Sequence, residues 1–260
     1  MDSVIVVPCF NEASRWDREY WRRMLSVPGV AWVFVDDGSS DRTALLIDQM
    51  RTGTTAELLA LPENVGKAEA VRRGMLMALT SNAGSVPVVG FMDADGAFGD
   101  TDVRRLTELC ATQRHDAVWS ARVLLAGRNI KRSTLRHFLG RAVATFVSIG
   151  HLETPYDTQS GFKLFAASPT LRDCLIGPFR TRWLFELELL NRWHRATGRQ
   201  MQVWEEPLLS WRDVAGSKIT LREAVRIARE LVFIKRDQRR AKRSAQRKTS
   251  EGGPVSTPWT

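Results

Sequence analysis

Short apolar runs alternate with segments of helical period through the first half of the chain. Residues 3–9 (SVIVVPC), 32–36 (WVFVD), 57–61, 87–92 (PVVGFM) and 117–121 read as strands. Between them, helices are expected over 15–25, 41–50, 67–79 and 101–112. The second opens at a Ser-Ser-Asp cap, the third after an Asn-Val-Gly turn, and the fourth is capped by Thr101. The strand runs are apolar at consecutive positions, as in strands covered on both faces. The expected class is α/β, a mostly parallel central sheet with helices on both faces. The second half is less regular: helix over 133–149, strand over 161–166, helix over 185–196, strand over 201–204 and a long helix over 221–246.

Open α/β sheets bind ligands outside the carboxyl ends of their strands, and polar clusters fall at three such ends. Asp93-Ala94-Asp95 follows a strand directly. Two carboxylates one residue apart can share a hard divalent cation with substrate phosphates, and Mg2+ and Mn2+ favour that ligand set. A solvated turn would look the same. Asp36-Asp37-Gly38-Ser39-Ser40-Asp41 also follows a strand. Ser40 or Asp41 capping the next helix is the plain reading; Asp37 accepting from a nucleobase is the sharper one. Pro8 to Glu12 would shape the opposite wall, with Glu12 accepting from ribose hydroxyls. Asn64-Val65-Gly66-Lys67 opens a helix and offers backbone N–H groups and the Lys67 ammonium to phosphate, without the spacing of a Walker A loop.

Composition changes this picture little, but charge sharpens it. The 260 residues are 43% hydrophobic and 26% charged, as in ordinary globular proteins. The net charge is +9, and the segment 235–248 (KRDQRRAKRSAQRK), with eight basic residues and one acidic, holds +7 of it. The excess is therefore a local basic segment and not a nucleic-acid footprint spread over the fold. Three scattered cysteines, Cys9, Cys110 and Cys174, argue against a disulfide framework or a zinc site and fit a reducing, cytoplasmic setting. The N-terminus lacks a basic leader region. The longest candidate membrane stretch, 142–149, is far short of the roughly 20 residues a spanning helix needs. Residues 249–260 are small, polar and rich in Gly and Pro, and are expected to be disordered.

Taken in order, PCFNEA (8–13), VDDGSSD (35–41), NVGKAEAVRRG (64–74) and DADGA (93–97) resemble the inverting family 2 glycosyltransferases of the GT-A fold. In the second half, DTQSGFKLF (157–165), RWLFELELL (182–190), WRDVAGSK (211–218) and ARVLLAGRNIKRSTLR (121–136) are similar to that family's polyprenyl-phosphate branch. The likeness is to the dolichyl-phosphate β-glucosyltransferases first and the dolichol-phosphate mannose synthases next.

The resemblance implies that Asn11, Glu12 and Asp37 hold the nucleoside and that Asp93 and Asp95 hold the metal and the donor diphosphate. Mannose synthases have a metal-binding Gln two places after the second aspartate of that motif. Here Gly96 and Ala97 follow Asp95, a departure that favours a glucose-type donor. Arg122, Arg132 and Arg136 match positions that approach phosphates, as do Arg212 and Lys218. Arg212 follows the mannose-synthase pattern, so Lys218 is the position shared more widely. Asp157 is expected to orient the sugar or to cap a turn, and Gln159 lies in the same motif. Glu186 stands where the family usually has Asp, and Glu188 keeps the family's Glu; surface helix charge is the plain reading of both. The implied activity is inverting, metal-dependent transfer of a hexose to polyprenyl phosphate. UDP-glucose is the favoured donor, with GDP-mannose the other possibility, and Mg2+ or Mn2+ the metal.

A phosphate acceptor is already anionic at neutral pH, so no general base is expected. The work is charge neutralisation and alignment. The domain expectation is a GT-A domain over 1–220, an amphipathic and basic helix over 221–248, and a tail over 249–260. Two places stand open for the apolar stripe of that helix (Leu221, Ala224, Val225, Ala228, Leu231, Val232): an anionic membrane surface at the cytoplasmic face, or the protein body. The alternatives are a family 2 enzyme with a soluble hydroxyl acceptor, a nucleotidyltransferase, and a nucleic-acid binder working through the basic tail; no nucleic-acid partner is expected.

Overall fold

The computed structural model describes residues 2–81, 86–131, 155–212 and 226–240. The expected helix over 133–149, the start of the 221–246 helix, the tail, and Arg132, Arg136 and Lys218 lie outside the described residues.

Seven strands make one sheet in the order β3-β2-β1-β4-β7-β5-β8. They are β1 (Ser3–Cys9), β2 (Val30–Asp36), β3 (Glu57–Ala60), β4 (Val88–Met92), β5 (Ala117–Ala121), β7 (Phe162–Ala166) and β8 (Val203–Pro207). A small second sheet pairs β6 (Asn129–Lys131) with β9 (Ser210–Arg212) in parallel. Within the main sheet only β7 runs antiparallel, between β4 and β5. The carboxyl ends of β1, β2, β4 and β5 therefore share one edge, and the amino end of β7 arrives at that edge beside β4.

The unbroken apolar runs have a direct explanation. Ile5, Val7 and Cys9 of β1 enter one core cluster, and Val4 and Val6 enter the other. Successive side chains point to opposite faces of a strand, and here both faces are covered. One face carries α1 (Arg18–Leu25), α2 (Thr43–Arg51) and α4 (Asp100–Thr112). The other carries α3 (Lys67–Ser81), α5 (Pro169–Leu175) and α6 (Phe185–Thr197). Gly74 of α3 lies so close to the sheet that a Cβ there would sit 2.5 Å from Val6 Cγ1.

Several boundaries differ from expectation. Residues 13–15 form a separate 3-10 turn, and α1 begins at Arg18, where Asp17 accepts from Glu19 and Tyr20 N–H. Thr101 is not a cap: α4 begins one residue earlier with Gly99 at its cap, and Thr101 lies exposed within the helix. The buried Asp102 instead takes Leu209 N–H at 3.0 Å, which ties α4 to the second sheet. Helix α5 was not expected, although Ser168 caps it by accepting Leu171 N–H at 3.1 Å and Pro169 opens it. That Ser-Pro start is a recognisable signal.

Residues 226–240 form helix α7, with Glu230, Ile234 and Gln238 buried at successive turns. Ile234 packs with Leu184 and Leu187. The Glu230 carboxylate accepts the N–H groups of Arg182, Trp183 and Leu184 at 2.9–3.1 Å, where α6 starts. A carboxylate on otherwise orphaned helix-start donors is a strong local tie. The face on the body is thus not the expected stripe: of the stripe's described residues, Leu231 is half-buried and Ala228 and Val232 are exposed. Val232, on its outer side, is 49% exposed. Among the described residues no helix is long and apolar enough to cross a membrane.

Candidate active site

The first wall of the site forms where β1 ends. Asn11 adopts a left-handed backbone (φ 52°), a conformation Asn tolerates better than most residues. Its backbone N–H donates to Ser39 Oγ at 3.0 Å, and its Oδ1 accepts Ser40 N–H at 2.9 Å. Glu12 N–H donates to Thr43 Oγ1 at 2.8 Å, while the Glu12 carboxylate forms a two-pronged pair with Arg15. The turns after β1 and β2 are thus stitched together, and Pro8, half-buried in β1, lines their base. Asp41 supports the start of α2 by accepting Thr43 N–H at 2.9 Å, and it also accepts Ala13 N–H at 3.0 Å.

Asp37 has a structural duty that the sequence did not predict. It is buried, and its two oxygens accept Val65 N–H at 2.8 Å and Gly66 N–H at 2.9 Å. Burial pushes its pKa up, against the pull of those two hydrogen bonds. Asp37 thereby fastens the Asn64–Lys67 loop to the end of β2. Gly38 is required beside it: its φ is +66°, and a Cβ would lie 2.4 Å from the Glu63 carbonyl carbon.

The fastened loop delivers Lys67 to the end of β4, where its ammonium meets Asp93 Oδ1 at 2.6 Å. The lysine expected to face phosphate therefore also pairs with a carboxylate. Burial works against the Lys67 charge, but Asp93 and Glu186 outweigh it and hold its pKa above the ordinary lysine value. Asp95, two residues on, has its carboxyl pushed up to about 6, first by burial and then by the charge of Asp93. Its Oδ1 accepts Ala97 N–H at 3.1 Å, and Ala94 between the two aspartates packs on the core.

These residues fit a hard divalent cation. Two crowded carboxylates carry more negative charge than Lys67 offsets, and an ammonium already stands at Asp93 where positive charge is wanted. Among the described residues no three acidic, histidine or cysteine side chains gather round one point. The protein's offer is therefore the Asp93/Asp95 pair, and the remaining ligands would be phosphate oxygens and water.

The loop before β7 closes the site from the other side. Gly161 carbonyl accepts Asp93 N–H at 2.9 Å, and a Cβ on Gly161 would lie 2.1 Å from Asp93 Oδ2. Only glycine admits that approach. Below the loop lies a buried group that the sequence reading did not single out. The Lys163 ammonium, with no exposed side chain, donates to Ser160 O at 2.6 Å, Thr158 O at 3.1 Å and Glu186 Oε1 at 2.9 Å. It sits 4.8 Å from the Trp119 ring and 5.5 Å from Phe91. Burial pulls its pKa down, while Glu186 pulls it up. Glu186 is therefore not a surface helix charge. Neither is Glu188, which is buried and accepts from Arg180 N, Thr181 N, Thr181 Oγ1 and Arg192. A lysine inside an apolar strand run was the available signal for this network.

Asp157 is buried and pairs bidentately with Arg122, at 2.8 Å to Nε and 2.7 Å to Nη2, and also accepts Arg122 N–H at 2.9 Å. The guanidinium lies 5.1 Å from the Trp211 ring. Arg122, expected to face phosphate, is thus engaged with Asp157, and most of its side chain is covered. Glu205, also missed, accepts the N–H groups of Tyr156 and Asp157 at 2.5 and 2.7 Å, and burial raises its pKa. Gln159 is half-buried in the same loop, and Arg212 is exposed at the end of β9. The structure thus brings together Pro8, Asn11, Glu12, Asp37, Lys67, Ala94 and the Asp93/Asp95 pair along one edge, with Arg122 and Asp157 beside them.

Comparison with known proteins identifies the family and the fold. The sequence pattern described as Glycosyl transferase family 2 matches residues 4–165. A dolichyl-phosphate β-glucosyltransferase of Saccharomyces cerevisiae is 31% identical, over 89% of this chain and 73% of its own. One from Trichomonas vaginalis is 30% identical, over 89% and 70%. Among solved structures, glucosyl-3-phosphoglycerate synthase of Mycobacterium tuberculosis, determined with Mn2+, UDP and glucosyl-3-phosphoglycerate, has a TM-score of 0.56 at 16% identity, covering 90% of this chain and 78% of that one. A mannosyltransferase of Pyrobaculum calidifontis, determined with GDP-Man and Mn2+, has a TM-score of 0.57 at 16% identity, covering 98% and 65%. Those two share the fold. Pattern match and sequence relatives together place the chain in glycosyltransferase family 2, in the branch that includes the dolichyl-phosphate β-glucosyltransferases.

Proposed function

We propose that the protein transfers glucose, with inversion, from UDP-glucose to a polyprenyl phosphate of the dolichyl type, using Mg2+ or Mn2+ at Asp93 and Asp95. The observation that carries this reading is the end of β4. There a crowded carboxylate pair, a lysine and the turns after β1 and β2 converge on one sheet edge. The relatives named as dolichyl-phosphate β-glucosyltransferases supply the sugar and the acceptor.

Asn11 and Glu12 form the nucleoside wall, and Asp37 holds the loop that faces it. Asp93 and Asp95 would hold a divalent metal, which would supply positive charge to the leaving diphosphate. Lys67 then stands beside that charge as a second cation. At the other end, Arg122, braced by Asp157, presents the edge of its guanidinium to the acceptor phosphate. Arg132, Arg212 and Lys218 are assigned to the same phosphates. The acceptor oxygen is already ionised, so no residue needs to remove a proton from it. Asp157 and Glu188 serve as braces in this scheme.

The acceptor's hydrocarbon must stay in a bilayer, so the protein works at a membrane surface, at the cytoplasmic face, and the basic 235–248 segment favours anionic lipid. The test is turnover of Asp157→Asn and Glu188→Gln with short polyprenyl phosphate. Activity is expected to fall together with substrate affinity or folding. Loss of turnover alone, with binding and melting unchanged, would require a catalytic base and contradict this scheme.

A further inference from the structure

The turn that follows β5 is built unlike the rest of the carboxyl edge. Its base is rigid, because Arg122 is bound three times to Asp157 and lies on Trp211. Its tip is apolar and bare. Leu124 is 78% exposed and Leu125 is 45% exposed, with exposed Ala126 and Gly127 completing the tip. The turn closes where Arg128 N–H donates to Leu125 O at 3.1 Å. Tyr156, next to Asp157 and therefore beside this base, is 42% exposed. Two adjacent leucines projecting from a braced support cost solubility and add nothing to the core.

We propose that the 123–127 turn and Tyr156 form a membrane-contact patch, with Leu124 and Leu125 entering the acyl region and Tyr156 at the headgroup level. An amphipathic ring suits that level, and Arg128, half-buried at the foot of the turn, provides charge complementary to lipid phosphate. The patch lies at the edge that holds Asp93 and the Arg122–Asp157 pair, so insertion would turn the site toward the bilayer. This rests on the reading of the acceptor as a lipid phosphate. It assigns membrane contact to a part of the chain distinct from the basic C-terminal segment.

The three native cysteines are buried, so a cysteine introduced at the surface can be labelled selectively. The full chain carrying Leu124→Cys is labelled with an environment-sensitive fluorophore and mixed with phosphatidylcholine vesicles, with and without phosphatidylglycerol. The expected result is a blue-shifted, brighter emission, stronger with phosphatidylglycerol and quenched by lipids bearing a nitroxide on the upper acyl chain. The same label at Thr55→Cys, an exposed position on the opposite edge, should not respond. Leu124→Ser/Leu125→Ser should weaken vesicle binding about tenfold or more and leave transfer to a short, water-soluble polyprenyl phosphate unchanged.

A label at 124 that stays in water while the protein binds vesicles would overturn the proposal, as would absence of vesicle binding or equal binding by the double variant. An emission change that follows protein concentration without vesicles would overturn it in favour of self-association. Failure of the wild-type chain to transfer any sugar to the soluble acceptor would sink the proposed activity, while the vesicle measurements would still decide the patch.

Discussion

Asp95→Asn should make the metal-free protein more stable. The folded structure holds the Asp95 carboxyl at about 6 instead of 3.8, through burial and the neighbouring charge of Asp93. A folded chain that binds this proton more tightly than the unfolded chain loses stability when the proton leaves. The cost is absent below the unfolded value of 3.8, grows as pH rises toward 6, and is complete above it. About two pKa units correspond to about 3 kcal/mol at most, and partial solvent screening of a half-buried group reduces this to roughly 1–2 kcal/mol. Asn has the same shape and keeps an oxygen for Ala97 N–H, so the substitution removes charge and little else. The expected rise in Tm at pH 7.5, in chelator, is about 3–6 °C for a chain of this size. It should shrink steadily as the pH is lowered toward 4. Mn2+ should reverse the order: it should stabilise the wild type by about 2.7 kcal/mol at a hundredfold excess over Kd, raising its Tm, and should do little for the variant. Scanning calorimetry of both proteins across pH, with and without Mn2+, decides it. A variant no more stable than wild type at pH 7.5, or a gap that does not change with pH, would refute the charge-crowding account of this site.

Three other substitutions probe its supports. Lys163→Met leaves Glu186 buried without its cation and should cost about 3–5 kcal/mol; adding Glu186→Gln should recover part of that loss in denaturant titrations, and no recovery would argue against the pair. Gly161→Ala drives a Cβ into Asp93 and should weaken Mn2+ binding by about tenfold or more, read by electron paramagnetic resonance titration, since displacements near 1 Å are costly at such sites; unchanged affinity would mean that the loop yields. Glu230→Ala leaves three backbone donors at the start of α6 without their acceptor and should cost about 1–3 kcal/mol. Faster amide exchange at 182–184 is the expected signature, and unaltered exchange there would show that α7 is not what holds that helix start.

Much of the nucleotide-side architecture was legible because local rules and global fold agree there. β1, β4 and β5 are bounded nearly as their apolar runs suggest, and Asp93 and Asp95 sit where a strand-end motif should put them. What was hidden is long-range. The antiparallel course of β7 depends on partners at 88–92 and 117–119 that no local pattern reveals. Thr101 looked like a cap because Ser/Thr before a helical run usually is one, but α4 already begins at Asp100 and Thr101 lies exposed within it. Glu186 and Glu188 read as surface charge by type and spacing, yet each is buried against partners several turns off or on another element. Asp37 and Lys67 were singled out as site residues, and the structure adds that one fastens a loop and the other pairs with Asp93. Asp157, expected to orient the sugar or cap a turn, pairs with Arg122. Residue type and strand-end position singled these groups out, and only the packed structure revealed their partners.

Glucose transfer to a lipid phosphate is tested in one assay, with purified protein, Mn2+ or Mg2+, a panel of labelled nucleotide sugars and a short polyprenyl phosphate. The expected result is a glucose-labelled lipid phosphate formed from UDP-glucose, dependent on the metal and lost in Asp93→Asn. Absence of transfer to the lipid phosphate from every donor would contradict it.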